Sequence, residues 1–192
     1  MSAGVDTKEG TGWRKRETGR RRHDFARLKQ VVGLSLVLAH YRLGPLGYAG
    51  RRLVPAELER YGKWKMPRGL SKAELLFNWP RAQRHLARGL FVVEGPWDAM
   101  RIHQAGFPNV VALWGVSISR QQKALLAEAP RLLLMLDGDP AGRRAATRCA
   151  RTFGPQPVEV VLLPDGYDPA DLPEADLCHR LARAATHRGA ET

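Results

Sequence analysis

Apolar positions follow a regular rhythm only after Gly89. Short continuous apolar runs, Leu90 to Val93, Val110 to Trp114, Arg131 to Leu136 and Val158 to Leu163, alternate there with stretches of helical spacing at Trp97 to Ala105, Ser119 to Glu128, Pro140 to Phe153 and Pro169 to Ala185. A strand that is apolar throughout must be covered on both faces, and a helix between successive strands is what a parallel connection requires. The pattern therefore predicts an α/β fold: a parallel sheet of about four strands, flanked by helices that cross over in the right-handed sense.

Upstream the pattern is less regular. From Asp24 to Tyr41, residues Phe25, Leu28, Val31, Val32, Leu34, Leu36, Val37 and Leu38 recur densely behind a possible N-cap at Asp24, which predicts one helix softened at Gly33. Gly44, Pro45, Gly47 and Gly50 then punctuate the chain before a basic, aromatic stretch of mixed periodicity. Residues 1–22 are Gly-, Thr- and Arg-rich with almost no apolar content and are expected to form a flexible basic tail. The expected organisation is that tail, a small basic α+β subdomain at 23–88, the sheet domain at 89–186, and a second tail at 187–192.

Charge narrows the range of partners. Lys and Arg number 31 against 19 Asp and Glu, a formal charge of +12, which favours an anionic partner such as nucleic acid over a neutral metabolite. A basic protein whose charge serves only solubility is the bland alternative. Cys149 and Cys178 are the only cysteines, without a CxxC pair, so this chain can build neither a disulfide framework nor a Cys-rich zinc ribbon. The six histidines show no ligand spacing. No apolar run approaches the roughly 18 residues of a membrane span, and the first residues are polar and Arg-rich, so a cytoplasmic protein with no membrane partner is expected.

Open parallel sheets take their ligands beyond the carboxyl ends of the strands. Three of the four apolar runs end in acid: Glu94 after the first, Asp137-Gly138-Asp139 after the third, and Asp165 and Asp168 after the fourth. Neighbouring strands would bring these acids to one rim. Carboxylates gathered there repel one another unless a cation joins them, and oxygen ligands select Mg²⁺ or Mn²⁺ over zinc. Asp139-Pro140 also has the form of a helix start, with Asp139 as N-cap and Pro140 in the first turn, and both readings of Asp139 stay open.

These residues carry a family resemblance. VVEGPWDAM (Val92 to Met100) resembles the first motif of Toprim domains, an apolar strand followed by Glu-Gly and an acid four residues after the Glu. LLMLDGDPAGRRAA (Leu133 to Ala146) resembles the second, and VVALWGVSIS (Val110 to Ser119) looks like the strand between them that runs into a Gly turn, here at Gly115. LLPDGYDPADL (Leu162 to Leu172) is similar to the segment of bacterial and phage primases that ends in Asp-Pro-Asp, and GYAGRRL with KWKMPRGLSKAELLFNWPRA is similar to the basic primase subdomain. The resemblance spans roughly residues 47–175.

The resemblance implies a Toprim-like, Rossmann-like catalytic domain that performs Mg²⁺- or Mn²⁺-dependent nucleotidyl transfer. The reaction would be primer synthesis on single-stranded DNA, in replication of a chromosome or a mobile element. It makes Glu94 the catalytic acid/base or orienting residue and Asp137 and Asp139 metal ligands, with Asp98 and Asp168 completing the acidic rim. Arg51, Lys63 and Lys72 fall where the family places cations for nucleotide or template phosphates, and Arg143 and Arg144 are candidates for the same role. Implied partners are single-stranded DNA, nucleoside triphosphates, and a helicase or separate zinc-ribbon protein, because the ribbon that usually precedes primase cores is missing from this chain.

One departure stands out. Where the primase pattern has Asp-Pro-Asp, this chain has Asp168-Pro169-Ala170-Asp171. A Toprim nuclease and a non-catalytic nucleic-acid-binding remnant are the alternative functions. Trp64, Phe77 and Trp79 lie among basic residues and are read first as packing residues, second as base-stacking ones.

Overall fold

The structure is a computed structural model that describes residues 34–41, 44–52, 55–62, 64–66 and 68–186. The chain divides into two compact units, with a boundary between Leu70 and Ser71.

In the first unit, β1 (Leu34–Tyr41), β2 (Gly44–Arg52) and β3 (Trp64–Lys65) form a sheet in that order, with helix α1 (Pro55–Tyr61) between β2 and β3. Strands β2 and β3 are antiparallel, with Arg51 opposite Trp64. Helix α1 opens on a proline, whose missing N–H costs nothing in a first turn. At its other end Nη1 of Arg52 donates to the carbonyls of Tyr61 at 3.0 Å and Gly62 at 2.8 Å.

The helix expected over 24–41 is corrected here, since residues 34–41 are a strand and residues 24–33 lie outside those described. Leu34, Leu36 and Leu38 alternate with Ser35, Val37 and Ala39, a period of two hidden in a dense apolar run that also fits a helix. Pairing with β2 decides between the two, because strand preference depends on the neighbours a segment finds.

In the second unit, β4 (Leu90–Val93), β5 (Val110–Ala112), β6 (Leu132–Leu134) and β7 (Val158–Val160) form the four-stranded sheet, in the order β5-β4-β6-β7. Every pairing is parallel, and Val92 of β4 is opposite both Val111 of β5 and Leu134 of β6. Preceding β4 are a 3₁₀ turn at Lys72–Glu74, a short helix α2 (Trp79–Ala82) and a 3₁₀ stretch at Gln83–Arg88. Helices α3 (Pro96–Gln104), α4 (Arg120–Leu126) and α5 (Pro140–Thr152) connect the strands, and α6 (Glu174–Thr186) follows β7.

Successive strand residues point to opposite faces, which explains why the runs are apolar throughout. Leu90, Val92, Val111, Leu132 and Leu134 pack with Leu125 and Leu126 of α4 and Cys149 of α5. Their neighbours Phe91, Val93, Val110, Leu133 and Met135 pack on the other face with Ile102 of α3 and Leu177 and Leu181 of α6.

The apolar runs end in regular strand earlier than their composition suggests, and the remainder leads into the loops of the rim. The last helix begins at Glu174 rather than Pro169 because the preceding residues make a tight turn, in which the Asp171 N–H donates to the Asp168 carboxylate at 2.8 Å. Beyond the β5 edge, Phe77 makes an antiparallel bridge, its N–H donating to the Ala112 carbonyl at 3.0 Å. Phe77 also meets the ring of Trp114 edge to face at 6.1 Å, and Trp79 is fully buried, so both are packing residues. Among the described residues, no helix is long and apolar enough to cross a membrane.

Candidate active site

The chain leaves β4 toward β5 and later returns to β6 on β4's other side, so the carboxyl ends of β4 and β6 flank the crevice where such sheets accept ligands. Glu94 follows β4 directly and is half-buried. Asp137 follows β6, whose continuation remains paired through the Met135 N–H, 3.0 Å from the Val92 carbonyl. The two acids therefore leave adjacent parallel strands at the same end. One carboxylate oxygen of Asp137, Oδ1, is buried from solvent.

Asp98 reaches the same rim from a helix. It occupies the first turn of α3, where its Oδ2 accepts the Gly95 N–H at 2.9 Å, and it is only 5% exposed. Burial pushes its carboxyl up to about pKa 7, and the charge of Asp168 is the next largest cause. The Gly95 amide opposes the rise, Asp137 adds to it, and the Ala170 amide also pulls against it. Asp98 thus feels two carboxylates carried by two other segments of the chain.

The motif departure takes on a structural meaning here. Ala170, which stands near where the resemblance expects a second acid, presents a backbone N–H to Asp98. Asp171 is exposed, and its own N–H supports Asp168.

Asp139 is exposed and caps α5, its Oδ1 accepting the Gly142 N–H at 2.6 Å with Pro140 in the first turn. One of its two oxygens is engaged in that way.

The loops that carry Asp137 and Asp168 are held closely together. The Gly138 N–H donates to the Tyr167 carbonyl at 2.8 Å, and the Gly166 N–H donates to the Gly138 carbonyl at 3.2 Å. A Cβ on Gly138 would lie 2.0 Å from the Pro164 oxygen, and one on Gly142 would lie 2.2 Å from the Asp137 carbonyl oxygen. Both positions therefore require glycine for close backbone approach.

The cationic candidates are scattered. Nη1 of Arg143 donates to the Gly138 carbonyl at 2.8 Å and to the Asp165 carboxylate at 2.7 Å. Arg144, beside it on α5, is exposed. Lys72 is exposed on its 3₁₀ turn, Arg51 lies in β2, and Lys63 falls outside the described residues.

Sequence reasoning missed Gln122. It is buried, and its Nε2 donates to the carbonyls of Leu75 at 2.7 Å, Leu113 at 2.9 Å and Lys72 at 3.3 Å. It thereby ties the turn bearing Lys72 to the carboxyl end of β5. The available signal was Ser119-x-x-Gln122, a capping box that the structure contains, with the Ser119 N–H donating to the Gln122 Oε1 at 2.9 Å. The Ser119 hydroxyl adds a bond to the Ala73 carbonyl.

A family model described as Toprim-like matches residues 91–172, the span that holds β4 to β7 and every acid of the rim. This span is a Toprim-like domain. The chain bearing the Toprim-like domain is 34% identical to the DNA primase of Aquifex aeolicus over 129 residues, 65% of this chain and 26% of the relative. It is 31% identical to the DNA primase of Myxococcus xanthus over 164 residues, 81% of this chain and 26% of the relative.

The RNA polymerase domain of Mycobacterium tuberculosis primase has the same fold, with a TM-score of 0.68 and 28% identity over 90% of this chain and 60% of that one. A second structure of that domain, in complex with double-stranded DNA, gives a TM-score of 0.66 at 28% identity, over 90% of this chain and 58% of that one. The chain thus contains a Toprim-like span and is similar to bacterial DNA primases, and it spans about a quarter of the length of the curated relatives it matches.

Proposed function

We propose that this protein performs divalent-metal-dependent nucleotidyl transfer, synthesising primers on single-stranded DNA in replication of a chromosome or a mobile element. The observation that carries this reading is Asp98, buried in the first turn of α3, whose carboxyl is raised by burial and by the charges of Asp168 and Asp137 from the loops after β7 and β6.

A hard cation fits this donor set. The side chains supply oxygen only, and their mutual repulsion, felt at Asp98, is what a cation relieves. Among the described residues no group of three or more His, Cys, Asp or Glu is placed to hold a metal ion by itself. Mg²⁺ binds through one or two carboxylates and keeps its other positions for water and substrate phosphates. Asp137 and Asp139 are the proposed main ligands, with Asp98 and Asp168 completing the acidic rim. Bound there, Mg²⁺ or Mn²⁺ would neutralise triphosphate oxygens and stabilise the charge developing on the transferring phosphoryl group.

The chain's own residues supply position and proton handling. Glu94, half-buried where β4 ends, orients the attacking hydroxyl and accepts its proton. Arg51, Lys63, Lys72 and Arg144 hold phosphates of template and nucleotide, and the formal charge of +12 draws both toward the protein. The partners proposed with this reading are single-stranded DNA, nucleoside triphosphates and a helicase or zinc-ribbon protein, in the cytoplasm. A related primase domain, 28% identical, is known in complex with double-stranded DNA, which supports a nucleic-acid partner.

Incubation with single-stranded DNA, labelled nucleoside triphosphates and Mg²⁺ or Mn²⁺ tests the proposal. Metal-dependent extension is the expected result. Cleavage would make the protein a nuclease built on the same rim, and salt-sensitive binding indifferent to metal would make it a non-catalytic binding module.

A further inference from the structure

Asp137 and Asp168 lie on different loops, one after β6 and one after β7, so their spacing depends on how those loops are held together. Backbone bonds through Gly138 do part of this. A side chain does the rest: Arg143, from the first turns of α5, uses one nitrogen to reach the Gly138 carbonyl at 2.8 Å and the Asp165 carboxylate at 2.7 Å. Gly138 belongs to the first loop and Asp165 to the second.

We infer that Arg143 is a positioning residue, a latch that sets the separation of the Asp137 and Asp168 carboxylates through Gly138 and Asp165. The inference rests on the metal-site reading above and gives Arg143 a task different from phosphate binding. Its Nη1 is engaged by two acceptors on its own protein, whereas Arg144 beside it is exposed. Asp165 stands almost wholly in water, at 89% side-chain exposure, so the ion pair adds little to global stability. Its effect falls on the geometry of the two loops.

Bare electrostatics and a latch predict opposite signs for one variant. Removing the Arg143 charge should tighten cation binding if charge alone matters, while removing Asp165 should weaken it. A latch is broken by losing either half. Both Arg143→Ala and Asp165→Ala should then weaken cation binding, and the double variant should be no worse than either, since the same connection is lost once.

The experiment is Mn²⁺ titration of the full chain, followed by electron paramagnetic resonance of the free ion at neutral pH, together with metal-free thermal melts. The expected result is a loss of affinity of about tenfold in each single variant, the lower end of what losing a ligand's supporting partner costs. The double variant should match the singles, Arg143→Lys should recover most of the loss, and the melting temperatures should stay close to wild type. Unchanged or tighter Mn²⁺ binding by Arg143→Ala overturns the latch while the metal site stands. Additive losses, no rescue by lysine, or a loss that accompanies collapse of the melting transition overturn it as well. A wild-type protein that binds no Mn²⁺ removes the metal-site reading itself.

Discussion

Asp98, fixed on the first turn of α3, feels the charge of Asp168, which arrives from the loop after β7. Neither carboxylate would choose the other's company, and burial of Asp98 sharpens the conflict. Its pKa rises from 3.8 to about 7, so near neutral pH the folded protein holds a proton there that the unfolded chain has released.

The sign of the resulting pH dependence follows from linkage. Between pH 4 and 7 the folded state binds more protons at Asp98 than the unfolded state, so this group's contribution to stability is full below pH 4 and is lost as pH rises through the folded pKa. The change is on the order of a few kcal/mol in metal-free protein. Asp98→Asn, which keeps an acceptor for the Gly95 N–H, should flatten that dependence in thermal melts from pH 4.5 to 8. An unaltered pH profile in the variant would contradict the assignment.

Metal should act in the opposite direction. A cation competes with the proton at the rim, so Mg²⁺ should raise the melting temperature more at pH 8 than at pH 6. At a hundred times its dissociation constant, the ligand should stabilise the fold by about 2.7 kcal/mol. Paired melts with Mg²⁺ and with a chelator measure this, and equal curves at pH 8 would argue against a cation at these carboxylates.

Glu94→Gln and Asp137→Asn should each lower primer extension by at least about a hundredfold. Both replacements are close in shape, so far-ultraviolet circular dichroism and melting should change little. Retained extension in either variant would exclude that residue from the chemistry.

Gly138→Ala tests the contact between the loops directly. Its new methyl group would sit 2.0 Å from the Pro164 oxygen, so the backbone must open. Urea unfolding should show a cost of about 1 to 3 kcal/mol, the usual range for overpacking. Gly138 carries no positive φ, so this cost comes from the close contact alone.

The sheet could be read from sequence because β4, β5 and β6 are buried on both sides and so are written as unbroken apolar runs, whereas edge strand β7 carries Glu159 between its valines. Helix starts at Ser119 and Asp139 carried their own capping chemistry. Residues 34–41 misled because a crowded apolar segment satisfies both helical and strand spacing, and the choice belongs to a partner strand. In the site, Glu94, Asp137 and Asp168 were visible as residues that follow apolar runs, whereas Asp98 sits inside a helix. What Arg143 does with Asp165 was not visible, because that pairing exists only once two loops have taken their shapes. Gln122 was hidden for the same reason: its acceptors Leu75 and Leu113 are backbone carbonyls, and no residue type announces them.

Because every strand of the second unit runs the same way, the turns that lead from helices back into strands all lie at the end away from the acids. The turn at 153–157 between α5 and β7 is one of them, and Gly154 and Pro155 there are exposed. A surface linkage or reporter dye attached at that turn would leave the opposite face of the domain open to a long polyanion, giving single-molecule work a handle on the domain's back.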